Sequence, residues 1–508
     1  MTPIMKVNHK EKSAMRNHSS FPLPFQPVKC HLHSVDPTSS YFNAVINYVE
    51  TCRSISNIYV FSYGIRNQST DIAVHPFTYL ERKCPCESGS SSSVSDTNSL
   101  TNVTSSYSSL FTSKKDQIIE VYVMKSQNFE PKKLVHVYHR YNRDTLCISG
   151  RIVCYFESWA TYRPGSGKFD VELIDPNLCT HLIYSFVGIN SNAQVTILDP
   201  WNDIDLGAIR RFNALRNQNP NLKTMAAIGG ATAGSDTFSQ VVNSATSRAK
   251  FADNIVNFAK QYGFNGIDLD WEYPTNEVSN NIKLLKLLRP KFDSNGLILS
   301  AAVSAGFDTI DASYNVPALG QYLDFINVMT YDLHGPWDSA TGENAPLYAG
   351  PSDKTAYLRN LNADSAIQYW IQKGAPKDKL NLGIGTYGRS FTLKSASNNG
   401  VGASTTGAGQ PGPYTQESGY LGYNEICEAH IAGNLEQHWN AEQKSAYAFH
   451  GDQWVGYDNI AAVRIKAEYI TSSGLGGAMV WAIDTDDFRN ICGDGRYPLI
   501  NTIKTYLG

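Results

Sequence analysis

Short runs of apolar residues recur along the last two-thirds of the chain, separated by polar stretches. They are RIVCYF (151–156), HLIYSFVGI (181–189), TMAAIGG (224–230), GIDLDWE (266–272), LILSAAVS (297–304), FINVMTYD (325–332), LNLGIGTYG (380–388) and GAMVWAID (477–484). Brief runs of this kind, rich in β-branched and aromatic residues, read as strands. Between several of them the apolar positions shift to helical spacing. Ile209, Phe212 and Leu215 do so first, then Phe251, Ile255, Phe258 and Tyr262, with Gly263 placed as a helix C-terminal cap. Eight strands alternating with helices predict an α/β protein, a (β/α)8 TIM barrel, with a doubly wound open sheet as the competing arrangement. The interval between the seventh and eighth strands is too long for one helix. Its Gly- and Tyr-rich stretches, GPYTQESGYLGYNEIC among them, predict an inserted α+β subdomain over about 391–470.

The first part of the chain follows none of this rhythm. All 8 Trp lie after residue 150, and of 38 Gly only Gly64 and Gly89 lie before it. Residues 1–150 carry 16 Lys and Arg against 11 Asp and Glu, and the rest carries 27 against 35. Residues 1–148 therefore read as a separate extension, and residues 149–508 as the main domain. Within the extension, 88–113 is a Ser/Thr-rich low-complexity tract with the composition of a flexible linker. The run IIEVYVMK (118–125) has strand character, and the N-x-[ST] matches at Asn17, Asn67 and Asn102 are weak signals. No motif assigns the extension a role.

Charge and hydropathy remove several classes of function. A net charge of −3 leaves no nucleic-acid footprint. No apolar stretch approaches the roughly 18 residues of a membrane span, and the opening residues lack the apolar core of a secretory signal. Taken alone, that start reads as cytoplasmic. None of the nine cysteines forms a CxxC pair, so no zinc or other metal is expected. On spacing alone, Cys154, Cys179, Cys427 and Cys492 fit buried free thiols.

The chemistry concentrates in GIDLDWE. Residues two apart on a strand share a face, so Ile267, Leu269 and Trp271 face the helices while Asp268, Asp270 and Glu272 face the barrel interior. Barrel interiors normally hold Val, Ile or Leu, and three buried carboxylates are costly. A calcium loop starting at Asp268 would need Gly and Glu where the chain has Tyr273 and Ser279. A solvated edge strand would not alternate with so apolar a face. Stacked carboxylates raise one another's pKa, and Glu272 lies furthest towards the C-terminal mouth where barrel enzymes react. That position suits a general acid.

These residues resemble the glycoside hydrolase family 18 chitinases, particularly the arthropod and animal type. The likeness extends collinearly over about residues 150–508. It is carried by the acidic strand, AAIGG (226–230), MTYDLHGPWD (329–338), GTYGRSF (385–391), GGAMVWAIDTDDF (476–488), and CYFESWATYRPGSGKFD (154–170) with LCTHLIYSF (178–186). The resemblance implies endo-acting, retaining hydrolysis of β-1,4-linked N-acetylglucosamine chains, assisted by the substrate's own acetamide. In it Glu272 protonates the glycosidic oxygen, Asp270 holds the acetamide N–H, Asp268 shares its proton with Asp270, and Tyr331 binds the acetyl oxygen. Trp481 becomes the floor under the sugar. Tyr155, Trp159, Gly229, Gly230, Met329, Asp332, Trp337, Tyr387 and Arg389 become cleft residues. The resemblance further implies disulfides Cys154–Cys179 and Cys427–Cys492, hence a secreted protein, although no signal peptide is visible. On that reading residues 1–148 are an unusual extension or a wrongly assigned start. The expected partner is chitin or chitooligosaccharides, with no cofactor, no nucleic acid, no membrane and a monomeric state.

Two positions depart from the family pattern. Asn265 replaces the first acid of the signature, and Ala231 follows IGG where Trp is common. The first is expected to affect the pH profile, the second the grip on long chains. A sugar-binding lectin without activity is the main rival, but it would be expected to lack Glu272. A hydrolase of N-linked glycans is a second rival, disfavoured by MTYDLHGPWD and the insertion.

Overall fold

The computed structural model describes residues 150–508 and, before them, only the backbone of four short strands. Those four form two antiparallel pairs, Tyr59–Tyr63 with Val74–Thr78 and Ile119–Tyr122 with Leu134–Val137. The second pair begins within the run IIEVYVMK. The tract 88–113 and Asn17, Asn67 and Asn102 lie outside the described residues. The chain divides into two compact units, Met1–Arg143 and Asp144–Gly508.

In the second unit all eight predicted strands form. They are β1 (Arg151–Glu157), β2 (His181–Ile189), β3 (Lys223–Gly229), β4 (Gly266–Asp270), β5 (Ile298–Ser304), β6 (Phe325–Met329), β7 (Leu380–Gly385) and β8 (Gly477–Trp481). Each pairs in parallel with its neighbours, and β1 pairs with both β8 and β2, which closes the barrel and removes the open-sheet alternative.

Alternation along each strand sorts side chains into two cores. Ile152, Cys154 and Phe156 of β1 join the outer layer between barrel and helices. Val153 and Tyr155 join the inner one with Ile183, Met225, Ala227 and Met479. The helix Ala245–Tyr262 shows how local sequence sets an element. The Ser244 side chain accepts the N–H of Ser247 at its start, Phe251 and Ile255 are buried, and Gly263 ends it at a φ of 78°. The helix marked by Ile209, Phe212 and Leu215 spans Ala208–Ala214, with Leu215 opening a 3-10 turn and a π-helical turn at Trp201–Asp205 before it.

The insertion contains a six-stranded antiparallel sheet, Tyr387–Leu393, Thr405–Ala408, Tyr420–Gly422, Glu436–Asn440, Ser445–His450 and Gln453–Tyr457, with the helix Tyr423–Ile431. It starts two residues after β7 and ends at Tyr457. The helix Ile460–Ser473 falls mostly within the expected 391–470 but packs against β8 and the final helix Pro498–Leu507. It is a barrel helix. Its pattern is that of any amphipathic helix, and sequence spacing alone does not reveal which sheet it covers.

Both implied disulfides are present, Cys154–Cys179 with Cα atoms 6.2 Å apart and Cys427–Cys492 at 6.0 Å. The second joins the helix of the insertion to the loop after β8. It spans 65 residues, and the first spans 25. Loop-closure entropy makes each worth about 3–4 kcal/mol, slightly more for the longer loop. Replacing Cys427 and Cys492 together with Ser is expected to lower the denaturation midpoint at least as far as the same change at Cys154 and Cys179. Equilibrium unfolding in guanidinium chloride measures both.

Candidate active site

β4 is held from behind by its apolar face. Trp271 stacks on Phe238 at 5.0 Å and donates its indole N–H to Ser235 Oγ at 2.5 Å. That anchoring turns the acids inward. Asp268 lies completely buried in the barrel, where it accepts hydrogen bonds from Tyr155 Oη (2.8 Å), Ser300 Oγ (2.5 Å) and Asn327 Nδ2 (3.4 Å). Burial pushes its pKa up to about 6, against the pull of these three donors. Asp270, next towards the mouth, is also buried. Burial raises its pKa first, and the charges of Glu272 and Asp268 raise it further. One of its oxygens, Oδ1, has no hydrogen-bond partner. Glu272 follows just past the strand end. Burial raises its pKa to about 7, a hydrogen bond with Tyr273 opposes that, and the charge of Asp332 adds to it.

No hydrogen bond joins Asp268 to Asp270. Asp268 Oδ1 accepts from Ser300 and Asn327, and its Oδ2 accepts from Tyr155 alone.

Above the acids opens a cleft of about 1070 Å³. Twelve of the residues predicted from sequence line it: Tyr155, Trp159, Gly229, Asp270, Glu272, Met329, Tyr331, Asp332, Trp337, Tyr387, Arg389 and Trp481. Trp481, last in β8, packs its ring against Tyr155 (5.4 Å) and Phe186 (5.6 Å). The Tyr331 hydroxyl has only a weak protein partner, Met479 Sδ at 3.5 Å. The far wall comes from the insertion. Asp332, held at a φ of 55°, accepts from Tyr387 Oη and Arg389 Nε, each at 2.6 Å. The Arg389 guanidinium lies over the rings of Trp337, Tyr387 and Tyr420.

Two predicted residues do not line the cleft. Asp268 lies beneath it. Gly230 turns its N–H to the Asp270 carbonyl (2.8 Å), and a Cβ there would stand 2.6 Å from the Phe186 ring, so its role is close packing. Asn265 makes no hydrogen bond to the acids. It accepts from Arg216 Nη1 and from the Thr224 N–H, both at 3.0 Å. Ala231 is exposed on the cleft edge.

Sequence reasoning missed Phe186, Tyr273 and Tyr420 in the cleft, and Ser300 and Asn327 below it. The last two did leave a signal, as isolated polar residues in apolar strands. Among the described residues one group of His, Cys, Asp or Glu has metal-binding proximity, Cys427, Asp487 and Cys492. Its two sulfurs are bonded to each other, so it offers no thiolate ligand.

Comparison with known proteins matches residues 151–486 to the family model for glycosyl hydrolases family 18. Mouse chitotriosidase-1 is 41% identical over 373 residues, 71% of this chain and 78% of that protein. The crystal structure of the Ostrinia furnacalis Group IV chitinase superposes with a TM-score of 0.69 at 43% identity, covering 70% of this chain and 99% of that one. Human YKL-39, described as a pseudo-chitinase with retained chitooligosaccharide binding, gives a TM-score of 0.67 at 40% identity over 71% of this chain and all of its own.

The raised carboxyl pKa has a stability consequence. A carboxyl at 4.5 when unfolded and about 7 when folded binds its proton more tightly in the folded state. Its contribution is intact below pH 4.5 and is lost as pH rises through 7. Glu272→Gln is therefore expected to be nearly neutral at pH 4 and to raise the melting temperature at pH 8 by about 3–6 °C. Calorimetry at the two pH values measures it.

Proposed function

Because the chain belongs to glycosyl hydrolases family 18 and is a glycoside hydrolase of the chitinase type, we propose that it cleaves β-1,4-linked N-acetylglucosamine chains internally, with retention of configuration. The observation that carries this reading is the pairing of Glu272 with Asp270 at the floor of the cleft. One is a carboxyl that keeps its proton near neutral pH, and the other has an oxygen with no protein partner. In this mechanism Glu272 gives its proton to the glycosidic oxygen as the bond to the anomeric carbon breaks. The acetamide oxygen of the same sugar bonds to that carbon and forms an oxazolinium ion. Asp270 Oδ1 accepts the acetamide N–H, and the Tyr331 hydroxyl donates to the acetyl oxygen. Water then opens the ring from the face the leaving group left, returning its proton to Glu272 and restoring the original configuration.

Supporting observations come from the surroundings. Trp481 offers an apolar ring face to a pyranose. Similarity to a Group IV chitinase and to a protein with retained chitooligosaccharide binding supports chitin and its oligomers as the ligand. The two disulfides support an oxidising, extracellular place of action. We assign the reaction to residues 149–508 and no role to 1–148.

The test is hydrolysis of chitohexaose by the full chain, followed by NMR of the fresh products. Internal cleavage with the β-anomer formed first is expected. Glu272→Gln should lower kcat by at least about 10²-fold while still binding the oligomer. A folded wild-type protein that binds without cutting would replace the enzyme reading with a lectin. Because the acid works protonated, kcat/KM of the wild type should fall as pH rises through about 7.

Ala231 supports a separate expectation. A Trp there would restore an aromatic platform on the cleft edge, so Ala231→Trp should tighten binding of chitohexaose about 3- to 10-fold and leave chitobiose unchanged. Titration calorimetry with the two oligomers measures it.

A further inference from the structure

Below the acids, the barrel holds a line of polar side chains that the reaction does not touch. Arg151, the first residue of β1, donates through Nε to Asn381 Oδ1 on β7 (3.2 Å). Asn381 Nδ2 donates to Asn327 Oδ1 on β6 (2.9 Å). Asn327 Nδ2 then reaches Tyr155 Oη (3.1 Å) and Asp268 Oδ1 (3.4 Å). Both asparagines are completely buried. Strand register makes the line: Arg151 is level with Gly477, Gly477 with Asn381, and Asn381 with Asn327. At this level β8 and the residue before it offer only Gly477 and Gly476, and a Cβ on Gly476 would collide with the Arg151 guanidinium. The missing side chain at Gly476 leaves room for the guanidinium, and the one at Gly477 lets the Arg151 backbone approach closely.

A guanidinium can only donate. Asn381 must therefore turn its oxygen towards Arg151 and its NH2 towards Asn327. Asn327 must in turn present its oxygen to Asn381 and its NH2 to Asp268. Without a donor-only group at the start, both amides could rotate by half a turn with no change of shape. The oxygen of Asn327 would then face the Asp268 carboxylate. Aligned hydrogen bonds also reinforce one another in a low dielectric.

We propose that Arg151 is a positioning residue for the acid row, fixing the direction of the two-amide relay so that a donor always faces Asp268. The relay favours the ionised form of Asp268 and leaves the proton of the row to Asp270 and Glu272. The other ionisable groups facing its upper end are Tyr155 and Asp270. Those facing its lower end are Asp324, Asp378 and His181. The proposal rests on the chitinase reading for its effect on rate, but not for its effect on Asp268.

The experiment therefore has two readouts on the full chain: the pH profile of kcat/KM on chitohexaose, and the titration of the Asp268 carboxyl by ¹³C NMR. Losing a donor to a carboxylate raises its pKa, so Arg151→Met and Asn381→Leu should both move the Asp268 titration up by about one unit. The acid limb of kcat/KM should move to higher pH with it, and KM should stay unchanged. Arg151→Lys, which keeps a donor, should restore the wild-type profile. An Asp268 titration that stays in place in a folded variant overturns the relay, even if activity falls. If Arg151→Met does not fold, Asn381→Leu decides. If the wild type cuts nothing, the chitinase reading fails by itself and the NMR titration still decides the relay.

Discussion

Three carboxyls in a row along β4 and its continuation, buried against one another, are the constraint that the rest of the domain answers. An isolated charge in so dry a place would be expensive, and three adjacent ones repel. The fold meets this unevenly. Asp268, deepest, is given three donors. Asp270 is left one oxygen short of partners, and Glu272 keeps contact with the cleft. The gradient from satisfied to unsatisfied runs outward along one strand. It turns a repulsive stack into a set of distinct groups, one held as an acceptor and one able to hold a proton near neutral pH.

The far wall of the cleft depends on a second chain segment. Asp332 follows β6 in a left-handed backbone conformation and takes both Tyr387 and Arg389 from the first strand of the insertion. Because that strand begins two residues after β7, the insertion is placed by the barrel itself. The Cys427–Cys492 bridge fastens its helix to the loop after β8. The wall is thus tied at three points, and Arg389, paired with Asp332, lies over its aromatic neighbours.

Much of this was legible in the sequence because period two and barrel closure are strong constraints. All eight strands form at the predicted runs, and the acidic face points inward as alternation requires. What stayed hidden depends on register and on packing between distant elements. Ser300, Asn327 and Asn381 are single polar residues in apolar runs, and their meaning appears only when the strands are aligned side by side. Gly230 shares its motif with Gly229, yet the Phe186 ring decides that one lines the cleft and the other does not. The end of the insertion was misplaced because Ile460–Ser473 has an ordinary amphipathic pattern whose covering partner lies in β8. Spacing alone left the cysteines open, and only the family likeness paired them correctly.

The glycines at the start of β8 carry a consequence for mutational tolerance. Every missense change at a glycine codon adds a Cβ, and at Gly476 and Gly477 that atom meets Arg151. No conservative replacement exists at either position, although both lie at the opposite end of the strand from Trp481. Trp159 and Trp337 on the cleft rim are partly exposed, so a smaller side chain there displaces no backbone. A replacement at either glycine should therefore harm the fold from the end of the barrel that lies away from the cleft.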